Sequence, residues 1–386
     1  MSADRARASI DLGAIERNCS RLRSELRTGV QLCAVVKADG YGHGAVHSAR
    51  AAVAGGAGWL AVATAQEAGE LREAGLSAPR VLVMGALTRA ELAEALAADA
   101  DVVVWREQHV QAVADAGGGR VHVKLDSGMG RLGTRDVEQA SQVLAAAQAT
   151  PGVEPAGAMT HFATADELHD DGFFARQLDT FARWAGAIKA AQPQLLVHAA
   201  NSAAVLRDRA AHFDMVRCGI AVYGMDPFGE DPSARALRPA LELTSYVAEV
   251  KTCRAGESAG YGRRFVADRD THLGVLPIGY GDGWRRALSN NAEVLVAGRR
   301  HPLVGTVSMD NITIELGAEE GARRLRGEPA TLIGVQGEER ITAEDVARRL
   351  GTINYEVTCA LTPRVPRSYH GATARAGQQP GRERAT

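Results

Sequence analysis

Eight short apolar runs alternate with longer helix-like stretches between residue 9 and about residue 238, and this alternation constrains the fold of the 386-residue chain most strongly. Each run has the length of a buried strand, whereas residues 67–74 and 91–98 mix alanine and leucine with charges, as amphipathic helices do. The predicted strands cover residues 31–37, 58–63, 80–84, 101–105, 120–126, 156–161, 195–200 and 214–220.

Eight strands alternating with helices over ~230 residues match a (β/α)8 barrel in number and in length. The alternative is an open, doubly wound parallel sheet. The barrel is favoured because no Gly-x-Gly-x-x-Gly fingerprint follows the first strand. The sequence therefore predicts an α/β protein whose residues 9–238 form a TIM-type barrel domain.

The pattern changes after Pro239, where strand-like runs are separated by glycine, asparagine and aspartate turns and helical signal is scarce. Strands are predicted over residues 241–250, 272–278, 293–296, 311–316 and 329–335, with the clearest helix at 343–350. We predict a mostly β C-terminal domain over residues 239–370. Residues 1–8, through the strand-like run 5–10, are a candidate edge strand for this domain, and residues 371–386 are a predicted disordered tail.

Composition excludes several classes of partner. The chain is 46% hydrophobic and 23% charged with a net charge of −2, so neither nucleic acid nor a membrane surface is expected as a partner. Its cysteines, Cys19, Cys33, Cys218, Cys253 and Cys359, are odd in number and lack metal-type spacing, which favours a reducing cytoplasm and no metal site. The N-terminus lacks the apolar core of a signal peptide, and the longest uncharged run, 51–66, is too short for a membrane helix.

Chemically useful residues recur where the predicted strands end. In strand order they are Lys37, Asp126, His161, Asn201 with Ser202, and Arg217 followed by Gly219 and Ile220. Barrel enzymes build their active sites at the C-terminal ends of the strands and often bind phosphate after strands seven and eight. The pattern therefore predicts an active site with a phosphate-binding region at this end of the barrel.

Each of these residues also has an ordinary structural explanation. His161 can be a core histidine, Ser202 a helix N-cap and Arg217 a surface ion-pair partner. Lys37 can be a lysine that turns into solvent at a strand end. The residues after Lys37 favour chemistry, because Tyr41 lies among glycines at positions 40, 42 and 44, where the backbone can bend closely around a ligand.

A series of motifs in one order resembles the alanine racemase family. These motifs are CAVVKADGYGHG, KLDSGMGRLG, THFATAD, ANSAA, VRCGIAVYG, AGYGRRF, IGYGDG, VSMD, INYEVTC and RVPR. Their order over ~330 residues is more specific than any single motif. The resemblance implies a pyridoxal 5′-phosphate (PLP)-dependent isomerase with a cofactor-binding barrel domain and a β domain.

The resemblance also assigns cofactor-binding roles. It implies that Lys37 carries the PLP, that Arg217 faces the pyridine nitrogen, and that His161 lies beside the ring and links Arg217 to the catalytic tyrosine. The positions that match the family's phosphate-binding residues are Tyr41, Ser202, Gly219, Ile220 and Tyr355.

Further positions correspond to the family's substrate site. The resemblance implies that Arg131 and the backbone of Met309 hold the substrate carboxylate. Lys124 matches a lysine that is often carbamylated in the family and that orients this arginine. Asp166 and Tyr280 match positions at the substrate entrance.

Racemisation requires one base on each face of the substrate, and Lys37 can serve only one of them. Tyr261, between Gly260 and Gly262, is the candidate for the other. A free tyrosine has a pKa near 10, so it needs nearby cations, such as an Arg217–His161 pair, to act near neutrality. In the family the site joins the barrel of one subunit to the β domain of the other, which implies a homodimer in which the partner subunit supplies Tyr261.

The resulting prediction is a cytoplasmic, homodimeric, PLP-dependent alanine racemase that supplies D-alanine for cell-wall peptidoglycan. A racemase of another amino acid, such as serine, remains an alternative, because Thr306 replaces an arginine common in the family and leaves the substrate range open. A barrel-type PLP amino-acid decarboxylase and a non-catalytic PLP-binding protein are the remaining alternatives.

Overall fold

A computed structural model describes residues 4–371 and contains a closed barrel of eight parallel strands. Strands are numbered along the chain from β1, Ala6–Asp11, which precedes the barrel. The barrel strands are β2 Gln31–Val35, β3 Trp59–Val62, β4 Arg80–Val83, β5 Ala100–Val104, β6 Gly119–Lys124, β7 Val153–Met159, β8 Leu196–His198 and β9 Met215–Cys218. The barrel closes because β9 pairs in parallel with β2, which confirms the predicted architecture and its eight strands.

Helices alternate with the barrel strands in the order that the sequence pattern predicts, and two more lie in the C-terminal part of the chain. The α-helices are Leu12–Glu25, Ala45–Ala54, Ala65–Glu73, Arg89–Ala97, Glu107–Asp115, Val137–Ala149, Phe173–Ala191, Ser202–Arg207, Ala343–Leu350 and Asn354–Cys359. Several begin at strong caps. Thr64 and Glu67 form a capping box, as do Thr88 and Glu91. Both helices start there because these side chains accept hydrogen bonds from backbone N–H groups that have no partner inside the helix. No helix among residues 4–371 is long and apolar enough to cross a membrane.

The C-terminal part of the chain is mostly strand. Its strands are β10 Leu241–Tyr246, β11 Glu249–Cys253, β12 Ser258–Ala259, β13 Phe265–Val266, β14 Thr271–Leu276, β15 Glu293–Val296, β16 Arg299–Pro302, β17 Ile312–Gly317, β18 Pro329–Gln336, β19 Glu339–Ile341 and β20 Arg367–His370. Short 3₁₀ helices lie at Arg209–Ala211, Ile220–Tyr223, Pro232–Arg235, Tyr261–Arg263, Tyr280–Asp282, Arg286–Leu288 and Glu320–Leu325. A large sheet runs in the order β16-β15-β18-β10-β1-β20, and β11-β14-β17 form a second sheet.

Two sequence-based details of this part are wrong. The predicted strand 241–250 is two strands, β10 and β11, which belong to different sheets. The N-terminal run is not an edge strand, because β1 pairs with β10 on one side and with β20 on the other. Its alternate residues Ala6, Ala8 and Ile10 are buried, so one face of the strand packs on the core. Apart from Gly371, the predicted tail 371–386 lies outside the described residues.

Candidate active site

Lys37 lies at the C-terminal mouth of the barrel, as predicted, although not within a strand. Strand β2 ends at Val35, and Lys37 begins the tight turn Lys37–Tyr41. The side chain is partly buried. Burial lowers the pKa of Lys37, and the positive charge of Arg131 lowers it further. The amine is therefore easier to deprotonate than that of a surface lysine, which is what a nucleophile or base requires.

The turn that carries Lys37 is left-handed. Ala38, Asp39 and Gly40 have φ values of 52°, 51° and 60°, and Tyr41 follows at 54°. Left-handed backbone costs about 1–2 kcal/mol for each non-glycine residue, so this turn needs external support. Glu67 supplies part of it, because its Oε1 accepts a hydrogen bond from the Ala38 N–H at 2.7 Å.

The same turn places Tyr41 against the loop after β9. The Tyr41 hydroxyl lies so close to Gly219 that a Cβ at position 219 would collide with it, which is why this position requires glycine. The Tyr41 and Tyr355 ring centroids are 5.9 Å apart. The Ser202 Oγ accepts the Gly219 N–H at 3.0 Å, and the 3₁₀ helix Ile220–Tyr223 begins at the next residue.

These contacts bring together the five residues predicted to bind phosphate. Ser202 is the first helical residue and not the N-cap, since the Asn201 side chain caps this helix by accepting the Ala204 N–H at 2.9 Å. The Ser202 hydroxyl accepts from the backbone, so its own proton can be donated to an anion. The first amides of a helix have no hydrogen-bond partner inside the helix. The first amides of the 3₁₀ helix Ile220–Tyr223 lie next to Gly219, in this group of residues.

Arg217 is buried inside the barrel and is not a surface ion-pair partner. Its Nη1 donates to His198 Nδ1 at 2.6 Å, and its Nη2 donates to the carbonyl oxygens of Thr160 and Ala199 at 2.7 and 2.9 Å. The buried Nε has no hydrogen-bond partner among the described residues. Burial lowers the pKa of Arg217 to about 10, so the group stays cationic at neutral pH with its Nε–H donor unused.

His161 lies between the positive groups of the site. Its Nδ1 is 3.3 Å from Nη2 of Arg217, so the two side chains are in contact. Burial lowers the pKa of His161 well below its usual value, and the charges of Arg217, Arg131, Lys124 and Lys37 lower it further. His161 is therefore neutral at physiological pH.

Lys124 is a second buried lysine at this end of the barrel. Burial lowers its pKa to about 8, and the charges of Arg217 and Arg131 act in the same direction. Much of the amine is therefore neutral near pH 8. Arg131 itself is exposed, on the loop that follows Asp126.

The predicted residues of the β domain face solvent. Tyr261 is 73% exposed, Met309 is 51% exposed and Tyr280 is 42% exposed. Tyr261 lies in the loop joining β12 and β13, where Gly260 and Gly262 both have positive φ, and the Thr306 hydroxyl donates to the Tyr261 carbonyl oxygen at 2.7 Å. No hydrogen bond or ring contact joins Tyr261 to Lys37 in the part of the chain that the structure describes. The predicted entrance residue Asp166 is also exposed; burial raises the pKa of Tyr355, and the Asp166 charge adds to that rise.

Comparison with known proteins identifies the family. The alanine racemase N-terminal domain family matches residues 10–227, and the alanine racemase C-terminal domain family matches residues 240–369. The chain belongs to the alanine racemase family. It is therefore an enzyme of the isomerase class.

Relatives of known sequence and structure resemble this alanine racemase family member over nearly its whole length. Alanine racemase 1 of Bacillus subtilis is 41% identical over 94% of this chain and 92% of its own length. The alanine racemase of Thermobifida fusca is 41% identical over 95% of this chain and 98% of its own length. Crystal structures of alanine racemases from E. faecalis and from D-cycloserine-producing Streptomyces lavendulae match with TM-scores of 0.86 and 0.89 and identities of 40% and 37%. The first covers 95% of this chain and 98% of its own, and the second 97% and 99%.

The barrel end of this racemase fits a ligand that combines an aromatic nitrogen with a phosphate. The unused Arg217 Nε–H can donate to a ring nitrogen that carries no proton, because an arginine does not give up its own. The Ser202 hydroxyl and the helix start at Ile220 lie around Gly219 and can donate to phosphate oxygens. No cluster of metal-binding side chains occurs within residues 4–371.

Sequence analysis missed a buried polar network behind Arg217. His198 on β8, His122 on β6 and Asp101 on β5 lie in series inside the barrel of this racemase, joined by hydrogen bonds. A signal was present in the sequence, because Asp101, His122 and His198 each stand next to apolar residues in a predicted buried strand. Each residue alone resembles a core residue with a partner, so only the fold shows that they form one network.

Proposed function

We propose that this enzyme interconverts L-alanine and D-alanine with PLP held at Lys37. The observation that carries the proposal is the buried Arg217 guanidinium, whose unused Nε–H lies at the same barrel end as a phosphate-type cradle and a lysine with a lowered pKa. The substrate comes from the relatives, which are alanine racemases. The family boundaries also support the division into a barrel domain, 9–238, and a β domain, 239–370.

Different residues would hold the pyridine nitrogen, the ring and the phosphate of the cofactor. Arg217 would donate its Nε–H to the pyridine nitrogen, and His161 would lie beside the ring. The phosphate would be held by Tyr41, Ser202, Gly219, Ile220 and Tyr355. When bound, PLP withdraws electrons from the substrate Cα and so acidifies its proton. Because arginine keeps its proton, the ring nitrogen would stay unprotonated. An unprotonated ring would withdraw electrons less strongly, which would limit side reactions.

Two bases would move the Cα proton. Lys37, with its lowered pKa, would remove or return the proton on one face. Tyr261 would do the same on the opposite face. Arg131 and the Met309 N–H would hold the substrate carboxylate, and Asp166 and Tyr280 would line the entrance.

Lys124 would orient Arg131 as a carbamate. Carbon dioxide reacts with a neutral amine, and the pKa of Lys124, lowered by burial to about 8, leaves much of this amine neutral. The modification would replace a buried positive charge with a negative one near Arg131 and Arg217, whose cationic charges now repel the ammonium form.

A homodimer would bring Tyr261 to the site. The phenol is 73% exposed and has no contact with Lys37 of its own chain among residues 4–371. In an isologous dimer, a residue of one copy can complete the site of the other. We therefore assign Tyr261 of one chain to Lys37 of the partner chain.

The product D-alanine would serve cell-wall peptidoglycan. The enzyme would work in the cytoplasm, which agrees with the five free cysteines, all of them outside disulfides in the described residues.

A single assay tests the activity. The purified enzyme is incubated with L-alanine, D-alanine, serine and larger amino acids, and chirality and CO2 release are followed together. We expect racemisation of alanine without CO2 release, and none in the Lys37→Ala variant. Preferred racemisation of another amino acid, CO2 release, or cofactor binding with no turnover would each favour one of the alternative functions.

A further inference from the structure

A chain of hydrogen bonds runs through the barrel interior from Arg217 to Asp101. Arg217 Nη1 lies 2.6 Å from His198 Nδ1, and His198 Nε2 lies 2.8 Å from His122 Nδ1. His122 Nε2 lies 2.8 Å from Asp101 Oδ2. All four side chains are buried, and those of His198, His122 and Asp101 are fully inaccessible to solvent.

The two ends of this chain fix the direction of every bond in it. Arginine can only donate, so His198 Nδ1 must accept and carries no proton. A neutral His198 then carries its proton on Nε2 and donates to His122 Nδ1. His122 in turn carries its proton on Nε2 and donates to Asp101, and an ionised carboxylate can only accept.

The charge states agree with this direction. Burial lowers the pKa of His198 and of His122, so both are neutral. Burial alone would raise the pKa of Asp101, but hydrogen bonds from His122 and Arg120 hold it below its usual value. Arg120 Nε donates to Asp101 Oδ1 at 2.8 Å, and Arg80 also pairs with this carboxylate. Asp101 therefore stays ionised at the far end of the barrel.

The neighbouring barrel strands leave room for this series of hydrogen-bonded side chains. A Cβ at Gly157 would collide with Nδ1 of His122, so β7 must carry glycine where it passes this ring. The edge of His122 also packs against Trp59, with ring centroids 5.7 Å apart.

We propose that Asp101, His122 and His198 are positioning residues that hold Arg217 with its Nε–H pointed at the cofactor. If His198 carried its proton on Nδ1, two donors would face each other at 2.6 Å, and the guanidinium would have to turn. The ionised Asp101 prevents this, because it keeps both histidines in the Nε2–H form. No proton moves along the chain. This inference rests on the proposed function only for the identity of the group that Arg217 faces.

The tautomers can be measured without any assay of activity. In holoenzyme labelled with ¹⁵N-histidine, two-bond ring correlations distinguish protonated from unprotonated nitrogens, and His→Gln variants assign the signals. We expect His122 and His198 to be protonated on Nε2 alone. His43 is an internal reference of the opposite type, since its Nδ1 faces the carbonyl oxygens of Gly40 and Tyr41 at 3.1 and 3.0 Å. A proton on Nδ1 of His122 or of His198 would overturn the proposal, whether or not the enzyme racemises alanine.

A matched pair of variants tests the consequence for catalysis. Asp101→Asn removes the fixed charge, whereas Asp99→Asn removes the exposed ion pair that Asp99 makes with the same Arg120 at 2.5 Å. We expect Asp101→Asn to lower kcat roughly 10–100-fold, the usual effect of losing an outer orienting partner, with KM changed less than about twofold. An asparagine amide can donate to His122 Nε2 as well as accept from it, so part of the His198 population should then show protonated Nδ1, whereas Asp99→Asn should behave as the wild type. Equal kcat in the two variants would refute the positioning role.

Discussion

The barrel end around Arg217 and the β-domain surface around Tyr261 are built in different ways. Arg217 is buried and held by four hydrogen bonds from its Nη1 and Nη2, while its Nε–H has no partner among the described residues. Tyr261 is 73% exposed, and Thr306 bonds to its backbone carbonyl oxygen and not to its phenol. The first region is complete within one chain, whereas the second presents its functional group to solvent.

This difference separates two tasks. A group that must keep a fixed orientation is held by a buried network, because a buried donor without a partner is costly and resists rearrangement. A group that must meet a second chain has to remain on the surface until the two chains associate. A chain with a defective barrel half and a chain with a defective β-domain half should therefore complement each other, whereas two chains that are defective in the same half should not.

The largest effect is expected for Lys37→Ala. Because Lys37 would both attach the cofactor and act as a base, activity should fall more than about 10⁴-fold. Absorption spectra and borohydride reduction should show no covalently held cofactor. The sequence contains four lysines, and exposed Lys251 provides the control Lys251→Ala, which should keep both properties. A covalent adduct that persists in Lys37→Ala would move the attachment to Lys124.

A smaller and one-sided effect is expected for Tyr261→Phe. Proton removal from L-alanine should fall about 10²–10⁴-fold, the usual contribution of a general base, and removal from D-alanine should fall less. Exchange of the Cα proton with deuterated solvent measures the two rates separately. Tyr246→Phe, a half-buried tyrosine in β10, is the matched control. Equal losses for both enantiomers would make Tyr261 a structural residue.

A further effect concerns Lys124 and pH. Because the pKa of Lys124 is lowered to about 8, its neutral and CO2-reactive fraction grows as the pH rises through that value. A ¹³C-carbamate NMR signal from labelled bicarbonate should therefore increase from below to above pH ~8 and disappear in Lys124→Ala. Activity of that variant should fall roughly tenfold through the loss of an orienting partner for Arg131. A signal retained in Lys124→Ala would contradict the assignment.

The smallest effect is expected for Thr306→Val, which removes the hydrogen bond to the Tyr261 carbonyl oxygen and keeps the side-chain volume. The loss should be about 1 kcal/mol of transition-state stabilisation, or roughly fivefold in kcat/KM. Thr306→Ser keeps the hydroxyl and should lie close to the wild type. If Thr306→Ser loses activity and Thr306→Val does not, the side-chain methyl and not the hydrogen bond holds the loop.

Most of the barrel could be predicted from the sequence, because strands buried on both faces are continuous apolar runs between amphipathic helices. The left-handed turn after β2 could not. Glycine at positions 40, 42 and 44 indicates a bend, but left-handed backbone at Ala38 and Asp39 contradicts their own preferences and depends on tertiary contacts such as that with Glu67. The interior place of β1 was also hidden, because its second neighbour, β20, comes from the far end of the chain.

Some residues of the candidate site could be predicted from the sequence, and others could not. Lys37, Ser202 and Arg217 could be found because each lies where a predicted strand ends. His122 and His198 could not, since their importance lies in which atom each presents to the next residue, and sequence spacing carries no such information. The positions of Tyr261 and Met309 on an exposed surface also required the fold.

The central claim is that each site takes Lys37 from one chain and Tyr261 from the other. Inactive Lys37→Ala and Tyr261→Phe proteins are mixed in equal amounts under conditions that exchange subunits, and exchange is confirmed by mass-labelled chains. A mixed dimer then holds one site with both substitutions and one site with neither, so random reassortment should restore about a quarter of wild-type activity. If both residues act within one chain, every site stays defective, and confirmed exchange with no recovery of activity would contradict the account.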